Sequence, residues 1–251
     1  MDSQLTYPDI ARIAGTGLIS TGLGLLLFVL ITITWGDPFT RLSEASEQRA
    51  LTKELSSAIP PSSQLVDAGL DPLLTQRAAA LAAKRTPLGE VAGRISIPKI
   101  GIDKAFIHGA RDEDLSKGPG LYKEVRFPGS GQPIAIAGHR TTHGAPFLHI
   151  DELHAGDRIV LTMPYGRFTY AVTRHEIITP HDWSILDFGA EKRTQAQRRQ
   201  VLRTGRCLGP CEHLVLTACH PKYSAAQRIA VFARLAHVQL YRGSARAGAA
   251  A

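Results

Sequence analysis

The longest apolar stretch is "IAGTGLISTGLGLLLFVLITITWG", Ile13 to Gly36, which runs for 24 residues without a charged side chain. As an α-helix rising about 1.5 Å per residue it reaches roughly 36 Å, enough to cross a hydrocarbon layer of about 30 Å with some tilt. Nothing else in the chain is apolar enough to enclose such a helix, so a membrane span is expected rather than a buried core helix. The run is too long for a cleaved signal peptide, and no Ala-x-Ala-like site follows it. A head of 12 residues before the span and more than 200 residues after it suit a signal anchor whose body lies outside the cytoplasm. Flanking charge does not decide the orientation, because Arg12 on one side faces Arg41 and Lys53 on the other.

Residues 37 to 90 read as a stalk with two helices. "RLSEASEQRALTKELSSA" is a polar helix candidate that stops at Pro60 and Pro61, and "DPLLTQRAAALAAKR" begins with Asp71 as a cap and Pro72 at the first helical position. Whether these helices stand free or pack on a folded domain stays open from the pattern alone. From Val91 the periodicity changes to short β-type runs between Gly, Pro and charged turns: "RISIP", "IDKAFIHG", "QPIAIAG", "DRIVLTMP", "RFTYAVTRHEII", "HLVLTAC" and "RIAVFARLAHVQL". Seven or eight strands predict a mainly β domain over 91–241, an antiparallel barrel or sandwich, followed by a small disordered tail over 242–251. The expected order is therefore head 1–12, span 13–36, stalk 37–90, β domain and tail.

Composition adds less. A 44% hydrophobic content suffices for a packed core, and Lys and Arg exceed Asp and Glu by 29 to 22, a formal charge of +7 that favours anionic surroundings without choosing among them. The most basic segment, "LDFGAEKRTQAQRRQVLRTGRC", has no interleaved aromatic residues to stack on bases, so nucleic acid is not an expected partner. It reads as a solvated loop or short helix, with a cationic rim to a substrate groove as the functional alternative. Three cysteines are too few for a disulfide scaffold.

The candidate chemistry lies at strand ends. Cys219 closes "HLVLTAC", and Arg228 opens the next strand-like run, where a cation can favour a thiolate or hold an oxyanion. A buried structural cysteine is the plainer alternative. "IAIAGHRTTHGAPF" ends its apolar run at Ala137 and Gly138 and then presents His139, the best placed of ten histidines to act as acid or base. His143 and His220 compete, although His220 follows Cys219 directly and adjacent strand residues face opposite ways.

"IAIAGHRTT" followed by "LTACHPKYSAAQRIAVFARL", with "GRISIPKIGID" and "DLSKGPGLYKEVRFPGSGQPIAIAGHR" ahead of them, resembles the sortases, membrane-anchored cysteine transpeptidases, over residues 91 to 240. The resemblance implies an eight-stranded sortase β-barrel and a His139, Cys219 and Arg228 site. It implies that Cys219 attacks the Thr–Gly carbonyl of a C-terminal sorting signal on a secreted protein, and that a peptidoglycan precursor such as lipid II, or a pilin lysine, supplies the accepting amine. It places Ala137, Thr217 and Ala218 beside the substrate, implies no cofactor or metal, and sets the catalytic domain outside the membrane. "CHPKYSAAQR" and "GHRTTHGAPF" are most similar to class E sortases of actinobacteria, whose signal is often Leu-Ala-x-Thr-Gly in place of Leu-Pro-x-Thr-Gly.

Two departures stand out. Where sortases read Thr-Leu-x-Thr-Cys, this chain has Val215, Leu216, Thr217, Ala218 and Cys219, so both threonine hydroxyls of the pattern are missing. Cys207 and Cys211 in "CLGPC" leave three readings open: a small disulfide, two free thiols, or a zinc site with His213 and Cys219 that would consume the nucleophile.

Overall fold

The alternating runs pair with one another in a computed structural model of the chain, which describes residues 7–35, 38–59, 64–67, 72–182, 212–242 and 244. Helix α1 covers Tyr7–Trp35, and its apolar stretch Ala11–Ile31 is wholly uncovered by the rest of the protein. Two of its threonines are satisfied within the helix: the Thr16 hydroxyl donates to the Arg12 and Ile13 carbonyls and the Thr21 hydroxyl to the Gly17 carbonyl. A polar side chain bonded in this way carries no unmet hydrogen bond into lipid.

Eight strands close a ring. They are β2 (Val91–Ile97), β3 (Ile102–His108), β4 (Gly120–Leu121), β5 (Ile134–Ala137), β6 (Arg158–Met163), β7 (Gly166–Ile178), β8 (His213–His220) and β9 (Gln227–Tyr241). Around the barrel the order is β9-β7-β6-β2-β3-β4-β5-β8, with β8 returning to β9, while the short β1 (Leu65–Asp67) pairs with the C-terminal end of β9, Gln239 to Tyr241, beyond the part that β8 covers. The sequence reading expected antiparallel pairing. The β3–β4 and β5–β8 pairs are instead parallel. Parallel neighbours cannot be joined by a tight turn, so the chain between β5 and β8 detours through β6 and β7.

Period two then sorts each wall strand into two faces. Ile134 and Ile136 of β5 and Leu214 and Leu216 of β8 enter the barrel core. Ala135, Val215, Ala230 and Phe232 form a separate outer cluster on which Tyr122, Val125 and Ile178 pack. Each fully buried Ile or Leu contributes about 1.5–3 kcal/mol through lost apolar hydration. Glu212, just before β8, is an exception to the apolar interior: its carboxylate accepts from the Gly129 and Gly131 amides at 2.8–3.0 Å and from the Tyr170 hydroxyl at 2.6 Å.

Helices α2 (Pro38–Ala58) and α3 (Pro72–Arg85) pack on this barrel, which answers the question the polar sequence left open. Leu51 and Leu55 of α2 cover Val91, Ala105 and Ile107, and Ala78 and Ala79 of α3 enter the main core. Gln48 bonds the edge of β3 in both directions: its amide donates to the Ala105 and Lys117 carbonyls and its oxygen accepts from the Ala105 amide. Glu44 takes Lys104 at 2.6 Å. Helix α4 (Asp112–Leu115) follows β3. Cys207, Cys211, the basic segment after Asp182, Pro60, Pro61, Asp71 and the tail beyond Ser244 lie outside the described residues, so the readings attached to them go no further.

Candidate active site

Strand register brings the three predicted residues to one place. Cys219 of β8 stands directly across from Arg228 of β9, and directly opposed residues of an antiparallel pair project from the same face. That face is the outer one, because Thr217↔Ala230 and Val215↔Phe232 precede Cys219↔Arg228 along the same alternation. On the other side of β8 the parallel register pairs Ala137 with Thr217, and the Gly138 amide extends it by donating to the Thr217 carbonyl at 3.0 Å. Two residues beyond Ala137 and Thr217 come His139 and Cys219. Cys219 and Arg228 thus share one face, and His139 follows the end of the strand beside them, in step with Cys219.

The loop behind His139 is tightly held. The Phe147 amide donates to the His139 carbonyl at 3.0 Å, and the imidazole stacks on His143 with ring centres 4.6 Å apart. Gly138 is required by space: a Cβ there would lie 2.5 Å from the Phe147 ring. Gly144, with φ +69, lies so close to Glu44 of α2 that a Cβ would collide with its carboxylate. Burial pushes the His139 pKa below its ordinary value, the neighbouring His143 adds to that, and Asp112 opposes it. A histidine so shifted is mostly neutral at pH 7, and its scarce imidazolium is a stronger acid.

Among the described residues no hydrogen bond joins Arg228 to the thiol. Its guanidinium donates to the Ala225 and Gln227 carbonyls, both at 2.9 Å, within its own hairpin. Cys219 is half-buried and, among the described residues, no hydrogen bond reaches its sulfur.

The three residues expected beside the substrate divide. Thr217 is on the reactive face, but its hydroxyl is buried and bonded to the Tyr122 hydroxyl at 2.9 Å. Ala137 lies on that face two residues before His139. Ala218 points the other way, into the barrel core, because it sits one residue from Cys219 on a strand. Its side chain therefore cannot line a groove on the outer face, and a threonine hydroxyl at that position would be aimed at apolar neighbours. Sequence reasoning missed Tyr122, which no periodic pattern singles out, and Arg140. The Arg140 guanidinium, 3% exposed, donates to the Cys219 carbonyl at 3.3 Å, lies 3.0 Å from His220 Nδ1 and pairs with Asp151 at 2.8 Å. Among the described residues no group of three or more His, Cys, Asp or Glu side chains is arranged to hold a metal ion.

Known proteins resemble this chain in sequence and in fold. The family model described as the sortase domain matches residues 95–236. Sortase D of Bacillus subtilis is 31% identical over 147 residues, 59% of this chain and 63% of that protein. Among solved structures, the SrtF sortase of Corynebacterium diphtheriae is similar with a TM-score of 0.53 and 26% identity, over 63% of this chain and 90% of that one. Sortase E1 of Streptomyces coelicolor, solved with a tripeptide in the active site, is similar with a TM-score of 0.50 and 25% identity, over 61% and 91%. The match thus spans less than two thirds of the curated relative's length, and it falls on the barrel that carries Cys219, His139 and Arg228. On the family match over more than half its length, the chain belongs to the sortase family.

Proposed function

We propose that this chain is a membrane-anchored cysteine transpeptidase that cleaves a sorting signal between Thr and Gly and passes the acyl group to an amine. The observation that carries the reading is the cross-strand pairing of Cys219 with Arg228, with His139 two residues beyond the end of the adjacent parallel strand. Cys219 as thiolate attacks the Thr carbonyl carbon, and the carbonyl π electrons move onto oxygen. As the C–N bond breaks, imidazolium of His139 gives its proton to the departing glycine nitrogen, which leaves a thioester. Neutral His139 then removes a proton from the incoming amine as nitrogen attacks the thioester carbonyl, and collapse expels the Cys219 thiolate. Arg228, turning from the Ala225 and Gln227 carbonyls, supplies charge-assisted donors to the substrate carbonyl oxygen in both tetrahedral stages.

The uncovered apolar helix Ala11–Ile31 supports a single membrane span, with the barrel outside the cytoplasm. A secreted protein with a C-terminal sorting signal is the acyl donor, and a peptidoglycan precursor such as lipid II or a pilin lysine is the acceptor. The class E reading, with Leu-Ala-x-Thr-Gly as signal, draws on "GHRTTHGAPF" and on the likeness to sortase E1; Leu-Pro-x-Thr-Gly is the signal it is compared with.

The test incubates the chain from residue 38, which keeps α2, with Leu-Pro-x-Thr-Gly and Leu-Ala-x-Thr-Gly peptides, with and without triglycine. Triglycine-dependent ligation that Cys219→Ala abolishes is the expected result. Cleavage indifferent to amine would make the chain a hydrolytic peptidase, and no turnover of either peptide would point to a binding module.

A further inference from the structure

Arg140 follows His139 directly, in the bend beyond β5, and its side chain is buried. A buried guanidinium is expensive unless paired, and an apolar side chain would fill the same volume at lower cost. Among the described residues its one carboxylate partner, Asp151, is 40% exposed, so the ion pair alone is a weak reason for the charge. Its other two contacts are specific. One terminal nitrogen reaches both the Cys219 carbonyl at 3.3 Å and His220 Nδ1 at 3.0 Å, while the second holds Asp151 at 2.8 Å. Three segments therefore meet on one planar fork: the strand end bearing His139, the strand end bearing Cys219, and the turn Ile150–Glu152. Burial pushes the Asp151 carboxyl up, but its own backbone amide, Arg140 and Lys222 outweigh that and hold it below its ordinary value. Lys222, on the hairpin that joins Cys219 to Arg228, adds its positive charge to the field at Asp151.

We propose that Arg140 is a positioning residue: seated on Asp151, it fixes the Cys219 carbonyl and the His220 ring and thereby the direction in which Cys219 presents its sulfur to His139. A guanidinium has only N–H donors, so His220 Nδ1 must be the acceptor and the ring must carry its proton on Nε2. That tautomer can be read without any turnover. The inference rests on the transpeptidase reading for its catalytic consequence, not for the clamp itself.

The experiment uses the full chain in detergent micelles, wild type and Arg140→Ala, Arg140→Lys and Asp151→Asn variants. Histidine 15N shifts are recorded first. Wild type shows His220 with its proton on Nε2, and Arg140→Ala shows a mixture of tautomers. Transpeptidation then falls about 100-fold in kcat for Arg140→Ala, the size expected of a misplaced reacting group, with KM within threefold. Guanidinium ion at tens of millimolar restores at least tenfold of that loss and leaves Cys219→Ala inactive. Arg140→Lys recovers part of the rate, and Asp151→Asn loses severalfold in kcat with KM unchanged.

An unchanged His220 spectrum in Arg140→Ala overturns the clamp. So does a kcat within threefold of wild type, or a loss in folded protein that guanidinium ion does not reverse. If Arg140→Ala does not fold, the partly exposed Asp151→Asn decides through its kcat and the His220 tautomer, and wild-type values for both overturn the proposal. A wild-type chain that ligates neither peptide refutes the transpeptidase reading instead, and the His220 spectrum then judges the clamp.

Discussion

Glu212 offers a stability test whose sign can be worked out from the structure. Its carboxyl is fully buried, and burial pushes it from 4.5 up to about 7, although Tyr170 and the Gly129 and Gly131 amides oppose the shift. Between those two values the folded protein holds a proton that the unfolded chain has lost. Stability is therefore highest below pH 4.5 as far as this group is concerned, and it falls as pH rises, at ~1.4 kcal/mol per pH unit, until about pH 7. The accumulated penalty is about 3 kcal/mol, a large share of a typical domain's 5–15 kcal/mol or so. Glu212→Gln removes it. The amide can mimic the protonated acid, accepting from the glycine amides with its oxygen and donating to the Tyr170 oxygen with its nitrogen. The measurement is urea unfolding of wild type and Glu212→Gln from pH 5 to 8, followed by near-ultraviolet circular dichroism of the barrel tyrosines. Wild type should lose about 3 kcal/mol relative to the variant across that range. A relative gain by wild type as pH rises would refute the reasoning, because it would mean that the donors around the carboxylate outweigh its desolvation.

Three further outcomes follow from geometry. Gly138→Ala drives a methyl into the Phe147 ring beside His139, so kcat for transpeptidation should fall at least tenfold while peptide binding changes little; wild-type kinetics would show that Phe147 moves aside freely. Tyr122→Phe removes the partner of the buried Thr217 hydroxyl and should cost about 1–2 kcal/mol in thermal or urea unfolding. Glu44 and Lys104 should respond unequally, because Glu44 is 3% exposed and Lys104 26%. Lys104→Met strands a buried carboxylate and should cost about 3 kcal/mol or more, whereas Glu44→Gln leaves a lysine that can reach water and should cost about half as much. Equal losses in unfolding would contradict that asymmetry.

Much of the barrel was legible because its long strands alternate cleanly. β4 was not, since two residues, Gly120 and Leu121, are too short to show a period. Nor did alternation reveal which neighbours run parallel, and the β5–β8 pair that aligns His139 with Cys219 depends on that. The docking of α2 stayed hidden for another reason. Its buried stripe runs Glu44, Gln48, Leu51 and Leu55, so half of the contact face is polar and reads in sequence as a solvated surface. Within the site, His139, Cys219 and Arg228 could be picked by residue type and strand-end position. Arg140 could not, because a lone arginine in a small-residue loop looks like a surface charge until its neighbours are known. Ala218 misled in the opposite sense: being next to the nucleophile in sequence placed it on the wrong face in space.

The contact between Glu44 and the loop of Gly144 also sets a leash. Trp35 ends α1, and Glu44 comes nine residues later, already fastened to Lys104. Nine residues span about 14 Å as helix and at most about 31 Å fully extended. With α1 in the bilayer, the histidine loop can never rise more than roughly that distance above the lipid surface. Under the proposed function, Cys219 would then work only on groups that come within that distance of the lipid surface.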